Sequence, residues 1–414
     1  MSKKRAGEEV SKRSQKCHGL IPGLPSELAI ECLIRVAYQF QTAMKSVCTS
    51  WCNLLSNSSF SLERMRCGKA ELLLCLVQPL TPPKPASEAV EEGEKEVLLQ
   101  QQPRVSVTPR FGLSVYNATM STWNRVAFPE HQIPLFCECV AVQASGKILL
   151  IGGWDPETLQ PVKDVYVLEL AGEGSGRRWR KGASMKEPRS FFACALVGST
   201  KIYVAGGHDD QKNALRSAEV YDVERDEWSY LPPMTEGRDE CHGFAMGPKI
   251  AHLDLDMKGP GSAHLTELGF CVLSGYGTES QGRFRSDGEV YDPATNTWSR
   301  VENVWPFHDT SPRGRITGDI RGSSSKLWCF LDSKLQWETE DDSGKWRLDI
   351  ESVQLPVTGS LVYAGSYGGD AVVMIGGGVM MKTATEESVG KWISVDDIPF
   401  GFSTLPFSHA SIYV

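Results

Sequence analysis

The residues best equipped for chemistry are scattered. The eight histidines stand at 18, 131, 208, 242, 252, 264, 308 and 409, and none is spaced as HxH or HxxxH, the patterns that bring two imidazoles to one side of an element. Cys137 and Cys139 in FCECV could start a metal site. Strand alternation also puts both on one face as ordinary core, so we read them as core. The twelve cysteines are scattered, many inside apolar runs such as LLLCLV and FFACALV, as reduced, buried thiols are. GxGxxG and P-loop patterns are absent. No catalytic residue, metal or cofactor is expected.

The bulk properties exclude other classes. A length of 414 residues with 41% hydrophobic content can bury a large core, and a net charge of -8 argues against a nucleic-acid partner. No run is apolar enough to span a bilayer, and the opening MSKKRAGEEVSKRSQK lacks the apolar core of a signal peptide. The chain is expected in the cytoplasm or also the nucleus, with no membrane partner. Lys3, Lys4, Arg5, Lys12, Arg13 and Lys16 form either a nuclear address or, the reading we prefer, a solvated tail over residues 1–18.

Elements emerge from repetition. EVYDVERDEW (219–228) and EVYDPATNTW (289–298) are near twins, and SVYNATMSTW (114–123) is a looser copy; each sets a Trp seven residues after a Tyr. Strand-forming residues flank polar turn residues, which is a hairpin pattern. A second phrase, an apolar run ending in paired glycines, recurs in KILLIGG, KIYVAGG and AVVMIGGG. FCVLSGYG is read as keeping only the first glycine of the pair, and KLWCFLD as losing both. The Trp of each unit is Trp123, Trp179, Trp228, Trp298, Trp346 and Trp392, at intervals of 56, 49, 70, 48 and 46.

A period near fifty with four short strands per unit predicts a six-bladed β-propeller over 70–414, because a lone four-stranded sheet cannot bury both faces until neighbours stack on it. Only three strands precede the first full unit. FSHASIYV (407–414) reads as an innermost strand and is expected to complete the first blade, closing the ring. Two stretches interrupt the pattern: 79–103, expected as a flexible loop, and 247–268, an atypical insertion.

Residues 19–66 change to helical periodicity. Leu28, Cys32 and Val36 are four apart, as are Val47, Trp51 and Leu55, with Leu24, Leu33, Met44 and Leu54 widening the stripe. Pro25 suits a first helical turn. Two or three short helices of this kind have a small core and need a partner surface.

The glycine pairs with Tyr and Trp resemble the kelch motif. Leu24, Pro25, Leu28, Leu33, Val47, Cys48 and Trp51 resemble the F-box, with Cys32 and Thr49 departing from its usual residues. The resemblance implies a mainly β fold, a kelch propeller preceded by a small α-helical F-box module. It also implies that those seven residues dock on a Skp adaptor and through it a cullin. LIPGLPSELAIECLIRV, LLLCLVQPLTPP and GRDECHG resemble the plant F-box/kelch subgroup that binds phenylalanine ammonia-lyase, or response regulators of hormone signalling, for ubiquitination. Two alternatives stay open: a scaffold uncoupled from any ligase, and a kelch-type copper oxidase, which needs a His/Tyr metal cluster.

Within the propeller, EPRSFF, EGRDECHG and SPRGRI place Arg189, Arg238 and Arg313 in corresponding segments ahead of innermost strands. They are expected to converge at one opening and clasp an acidic segment of the target; pairing with Glu187, Glu236 or Asp239 is the alternative. Trp154, Asp155, His208 and Asp209, after the glycine pairs, are expected to rim the same face.

Overall fold

The computed structural model describes residues 19–80, 110–129, 132–170, 178–246, 268–302, 304–305, 307–317, 398–399 and 401–414, with the strands between 327 and 395. The expected tail at 1–18, most of the loop at 79–103 and the insertion at 247–268 up to residue 267 lie outside them. Two compact units result. One is built on the helices before Ala70; the other runs through Glu71–Leu170 and Arg177–Tyr413.

The first unit holds four helices, α1 (Ser26–Ile34), α2 (Gln41–Lys45), α3 (Thr49–Ser56) and α4 (Ser58–Arg66), with a 3-10 turn at Tyr38–Phe40. Pro25 is the residue just before α1, its carbonyl accepting from Ala29 N–H at 3.0 Å. Leu33, Ile34, Met44, Leu55 and Phe60 make the core, backed by Ile21, Ile30, Val36, Trp51 and Leu54. Arg64 is buried in it and donates to the Ile34 and Val36 carbonyls, both at 2.6 Å. It thereby satisfies the Ile34 carbonyl that α1 leaves without a helical partner, and the Val36 carbonyl just beyond the helix. The apolar stripe read from the sequence divides here: Leu33 faces inward, while Leu28 and Cys32 face solvent.

The second unit is six four-stranded antiparallel sheets among the described residues. Blade 1 is ordered Ser408–Tyr413, Leu72–Pro79, Phe111–Asn117, Thr122–Val126, with Cys75 opposite Ala410 and Val115. The C-terminal strand is therefore the innermost strand of the first blade, as the sequence predicts. Blade 2 comprises Glu138–Val142, Lys147–Ile151, Val165–Glu169 and Arg178–Lys181. Blade 3 comprises Ala193–Val197, Lys201–Ala205, Ala218–Asp222 and Glu227–Leu231, and blade 4 comprises His242–Met246, Gly269–Leu273, Gly288–Asp292 and Thr297–Val301. Blade 5 starts at Ile316–Thr317 and ends at Trp346–Gln354; blade 6 starts at Val362–Tyr367 and ends at Ser388–Val395.

Strand alternation supplies an apolar face to each neighbour. In Lys201–Ala205, Ile202 and Val204 pack with Leu149, Ile151 and Val167 of blade 2, while Tyr203 and Ala205 pack with Phe270 and Val272 of blade 4. The core thus lies between blades, and each fully buried Val, Ile or Leu contributes about 1.5–3 kcal/mol. The repeated Trp has a double task. Trp228 packs on Tyr221 at 4.9 Å, and its Nε1 donates to Ala183 O of the preceding blade at 2.8 Å. Trp298 does the same with Tyr291 and Pro232 O, and Trp179 with Ala127 O. The Glu of EVYD is also structural: buried Glu219 accepts from the Lys186 and Glu187 N–H groups, and Glu289 from those of Thr235 and Glu236.

The glycine pairs sit where two segments of the backbone meet. A Cβ on Gly206 would stand 2.4 Å from Arg238 O, and one on Gly207 2.3 Å from Ser190 O; both have positive φ. In blade 4 this place is held by Ser274 (φ 57°) and Gly275 (φ 82°). FCVLSGYG therefore keeps the second glycine of the pair, not the first, and Ser274 stands in left-handed backbone.

Candidate functional site

On the helical unit, Leu24, Pro25, Leu28, Val47 and Cys48 are exposed, Leu28 at 53% and Val47 at 61%. Leu28 and Cys32 are one turn apart on α1, and Val47 and Cys48 lie in the link from α2 to α3. Phe40, also 53% exposed, is a further apolar surface residue that periodicity did not select. Leu33 and Trp51 do not belong to this surface. Leu33 is buried in the core, and Trp51 is half-buried with its Nε1 donating to Leu20 O at 2.6 Å. Both shape the unit that displays the others.

On the propeller, second strands end where innermost strands begin, so the residues after the glycine pairs meet those ahead of the innermost strands at one opening. Trp154 bridges to Leu135, His208 to Ser190, and Tyr276 to Asp239. Trp154 and His208 are adjacent, with Trp154 Nε1 at 3.3 Å from His208 Nε2. His208 Nδ1 faces the Asp239 carboxylate at 2.9 Å, and Lys212 Nζ is 3.1 Å from Nε2 and 3.7 Å from the Trp154 ring centroid. Burial lowers the Lys212 pKa, with Asp239 and Glu240 opposing it. Phe136, Phe191 and Phe407 cluster beside them at centroid separations of 5.1 to 5.4 Å.

Asp155 and Asp209 turn inward to their own loops. Asp155 Oδ1 accepts from the Glu157 and Thr158 N–H groups, and Asp209 Oδ1 from those of Gln211 and Asn213. The Thr158 bond leads in lowering the Asp155 pKa; for Asp209 burial opposes the lowering and the Asn213 bonds outweigh it. These aspartates hold the rim in shape.

The arginines correct the sequence reading. Arg189 and Arg238 are fully buried. Arg189 donates to Gly206 O, Ser217 O and Glu219, with Glu187 at 3.6 Å. Arg238 donates to Ser274 O, Asp287 and Glu289. Burial would lower the Arg238 pKa, yet Asp287 and Glu289 hold it above its ordinary value. Each pins an incoming segment to the second and third strands of its blade, and neither guanidinium can reach a partner.

Arg313 behaves differently because its segment is one residue out of register. The left-handed residue ahead of successive innermost strands is Phe136, Phe191, Glu240 and Gly314, so Pro312 occupies the place of Arg189 and Arg238. Arg313 lies in the central channel, paired with Glu138 and 4.8 Å from the Phe407 centroid. Burial would lower its pKa; Glu138 more than offsets that. The residues missed by sequence, Lys212, Tyr276 and the three phenylalanines, carry no repeated motif; only Tyr276 follows a glycine that the repeat could have aligned.

Cys137 and Cys139 are core: both are buried, and burial raises both thiol pKa values. Among the described residues no three His, Cys, Asp or Glu side chains converge as a metal site, and no helix is long and apolar enough to cross a membrane.

Comparison with known proteins places these features. A family profile described as "Kelch motif" matches residues 188–235, the segment from the Arg189 turn through blade 3. The Arabidopsis thaliana F-box/kelch-repeat protein At2g44130 is 66% identical, covering 98% of this chain and 99% of that protein. F-box/kelch-repeat protein SKIP20 of the same plant is 59% identical over the full length of both. F-box/kelch-repeat protein At1g15670 is 35% identical over 68% of each chain. With a propeller of Tyr, Trp and glycine repeats behind a four-helix unit, and relatives matched end to end, the chain belongs to the F-box/kelch-repeat protein family.

Proposed function

We propose that this chain is the substrate-recognition subunit of a Skp–cullin–F-box ubiquitin ligase, itself without catalytic residues. The carrying observation is the apolar surface of Leu28, Phe40 and Val47 on a unit whose core is already filled by other side chains. Exposed apolar residues of this size beside a complete core suit an obligate partner. The propeller then holds a target protein near a ubiquitin-charged enzyme, which accelerates transfer by proximity.

The target we propose is phenylalanine ammonia-lyase, with hormone response regulators as the second candidate, on the resemblance of LIPGLPSELAIECLIRV and LLLCLVQPLTPP to that subgroup. The proposed contact face is the opening rimmed by Trp154 and Lys212. The test is affinity purification from plant cells with the proteasome blocked, followed by reconstituted ubiquitination. Co-recovery of Skp adaptor, cullin and lyase, and lyase ubiquitination that depends on this chain, is the expected result. Recovery of the lyase without adaptor would leave a scaffold; recovery of adaptor without lyase would redirect the search for the target.

A further inference from the structure

The axis of the propeller is not filled. A cavity of about 180 Å3 is lined by residues from the innermost strands of all six blades or the turns before them: Glu138, Cys194, His242, Arg313, Tyr363 and His409 among them. Its size is comparable with the roughly 150 Å3 apolar cavity that takes up benzene. This one is polar. Nothing in the adaptor function uses it.

The guanidinium of Arg313 is fixed in place and incompletely used. Nη1 donates to Phe192 O and Cys241 O, both at 2.8 Å, and Nη2 donates to Glu138. Nε is buried and has no hydrogen-bond partner among the described residues. The Nε and Nη2 hydrogens run parallel along one edge, the fork that a carboxylate fills with two bonds. Glu138 engages one side of it. Phe407 and Phe191 stand at 4.8 and 5.8 Å from the guanidinium carbon, an apolar wall that strengthens any ionic bond made there. Across the channel the Tyr363 hydroxyl is 2.8 Å from His409 Nδ1. Gly314 and Gly365 lack the Cβ atoms that would collide with those two rings at 2.6 Å.

We propose that the channel is a binding site for a small monocarboxylate, held by the Nε–Nη2 edge of Arg313 in competition with Glu138, its body resting among Tyr363, His409 and the phenylalanine wall. Because Glu138 already offsets the guanidinium, a single entering charge binds by displacing Glu138 from Nη2, and a dianion would leave the channel with a larger uncompensated charge. The buried unpartnered N–H, which is expensive to leave unmet, is satisfied by the second carboxylate oxygen.

The experiment is calorimetric titration of the full chain with sodium benzoate, with benzamide as the uncharged isostere, alongside Glu138→Gln and Arg313→Lys. Saturable benzoate binding that tightens about tenfold in Glu138→Gln and weakens at least about tenfold in Arg313→Lys supports the proposal. If Arg313→Lys does not fold, the Glu138→Gln comparison decides alone. Absence of saturable heat at about 10 mM benzoate in both wild type and Glu138→Gln overturns it. So does equal binding of benzamide, or benzoate affinity that ignores the loss of Glu138.

Discussion

The Arg189 guanidinium donates to the Glu219 carboxylate across 2.8 Å, and neither side chain is exposed to solvent. Glu219 also takes two N–H groups from the segment between blades 2 and 3, so the pair fastens that segment to its blade. Arg189→Ala leaves a buried carboxylate without its cation and is expected to lower stability by about 3–5 kcal/mol, read by chemical denaturation. Lost target binding in such a variant would follow from lost folding. A stability within about 0.5 kcal/mol of wild type would contradict this assignment.

Ser274 and Gly207 make opposite expectations. Ser274→Gly relieves a left-handed serine whose buried Oγ has no partner among the described residues; after the entropy lost to glycine, a gain of about 1 kcal/mol is expected. Gly207→Ala puts a Cβ 2.3 Å from Ser190 O at φ +81° and is expected to lose about 2 kcal/mol or more. Thermal melts of the two variants should move in opposite directions.

Leu28 and Leu33 are five residues apart in one helix with different environments. Leu28→Asp is expected to weaken Skp-adaptor capture at least about tenfold with an unchanged melt. Leu33→Ala should instead cost about 2–5 kcal/mol of stability. Full adaptor capture by Leu28→Asp would remove that surface from the interface.

Deleting residues 404–414 removes the strand paired with Leu72–Val77 and the Thr404 carbonyl that accepts from Gln78 at 2.6 Å. The propeller is expected to melt lower and less cooperatively, since blade 1 then shows an open edge. An unaltered calorimetric melt would show that the ring does not depend on this closure.

Burial holds the channel imidazoles of His242 and His409 uncharged, with pKa values of about 3 and about 4 against the ordinary 6.5. For His242, nearby Arg313 and His409 add to the effect. Unfolding therefore takes up protons below pH 6.5. The stability these groups contribute is fully present above that pH, falls as pH drops toward 4, and levels off below about 3. His409→Gln is expected to reduce the proton uptake by up to one between pH 4 and 6.5, measured from the pH dependence of unfolding.

The repeat made the blades legible because each copy must bury the same two faces and tie back to the previous blade, which fixes Tyr, Trp, Glu and glycine at constant intervals. The same regularity misled where the chain slips. SPRGRI aligns by eye with EPRSFF, but its left-handed residue is Gly314, which moves Arg313 into the channel. Nor does a repeated Arg announce whether its carboxylate partner lies in the next loop or in a buried strand; Glu219 and Glu289 were visible in EVYD without revealing that they would bind Arg189 and Arg238. On the helices, Leu28 and Leu33 look alike in sequence because the exposed face and the core face are both apolar.

The pairing of Leu76 with His409 also sets a timetable for biogenesis. At about 5–20 residues per second of synthesis, more than three hundred residues separate the emergence of these two partners, a delay of tens of seconds. Throughout it the strand LLLCLVQP, almost wholly apolar, waits at the ribosome with one edge unpaired. Neighbouring nascent copies on a polysome present the same edge, so until its own last strand emerges the first blade is open to pairing between chains.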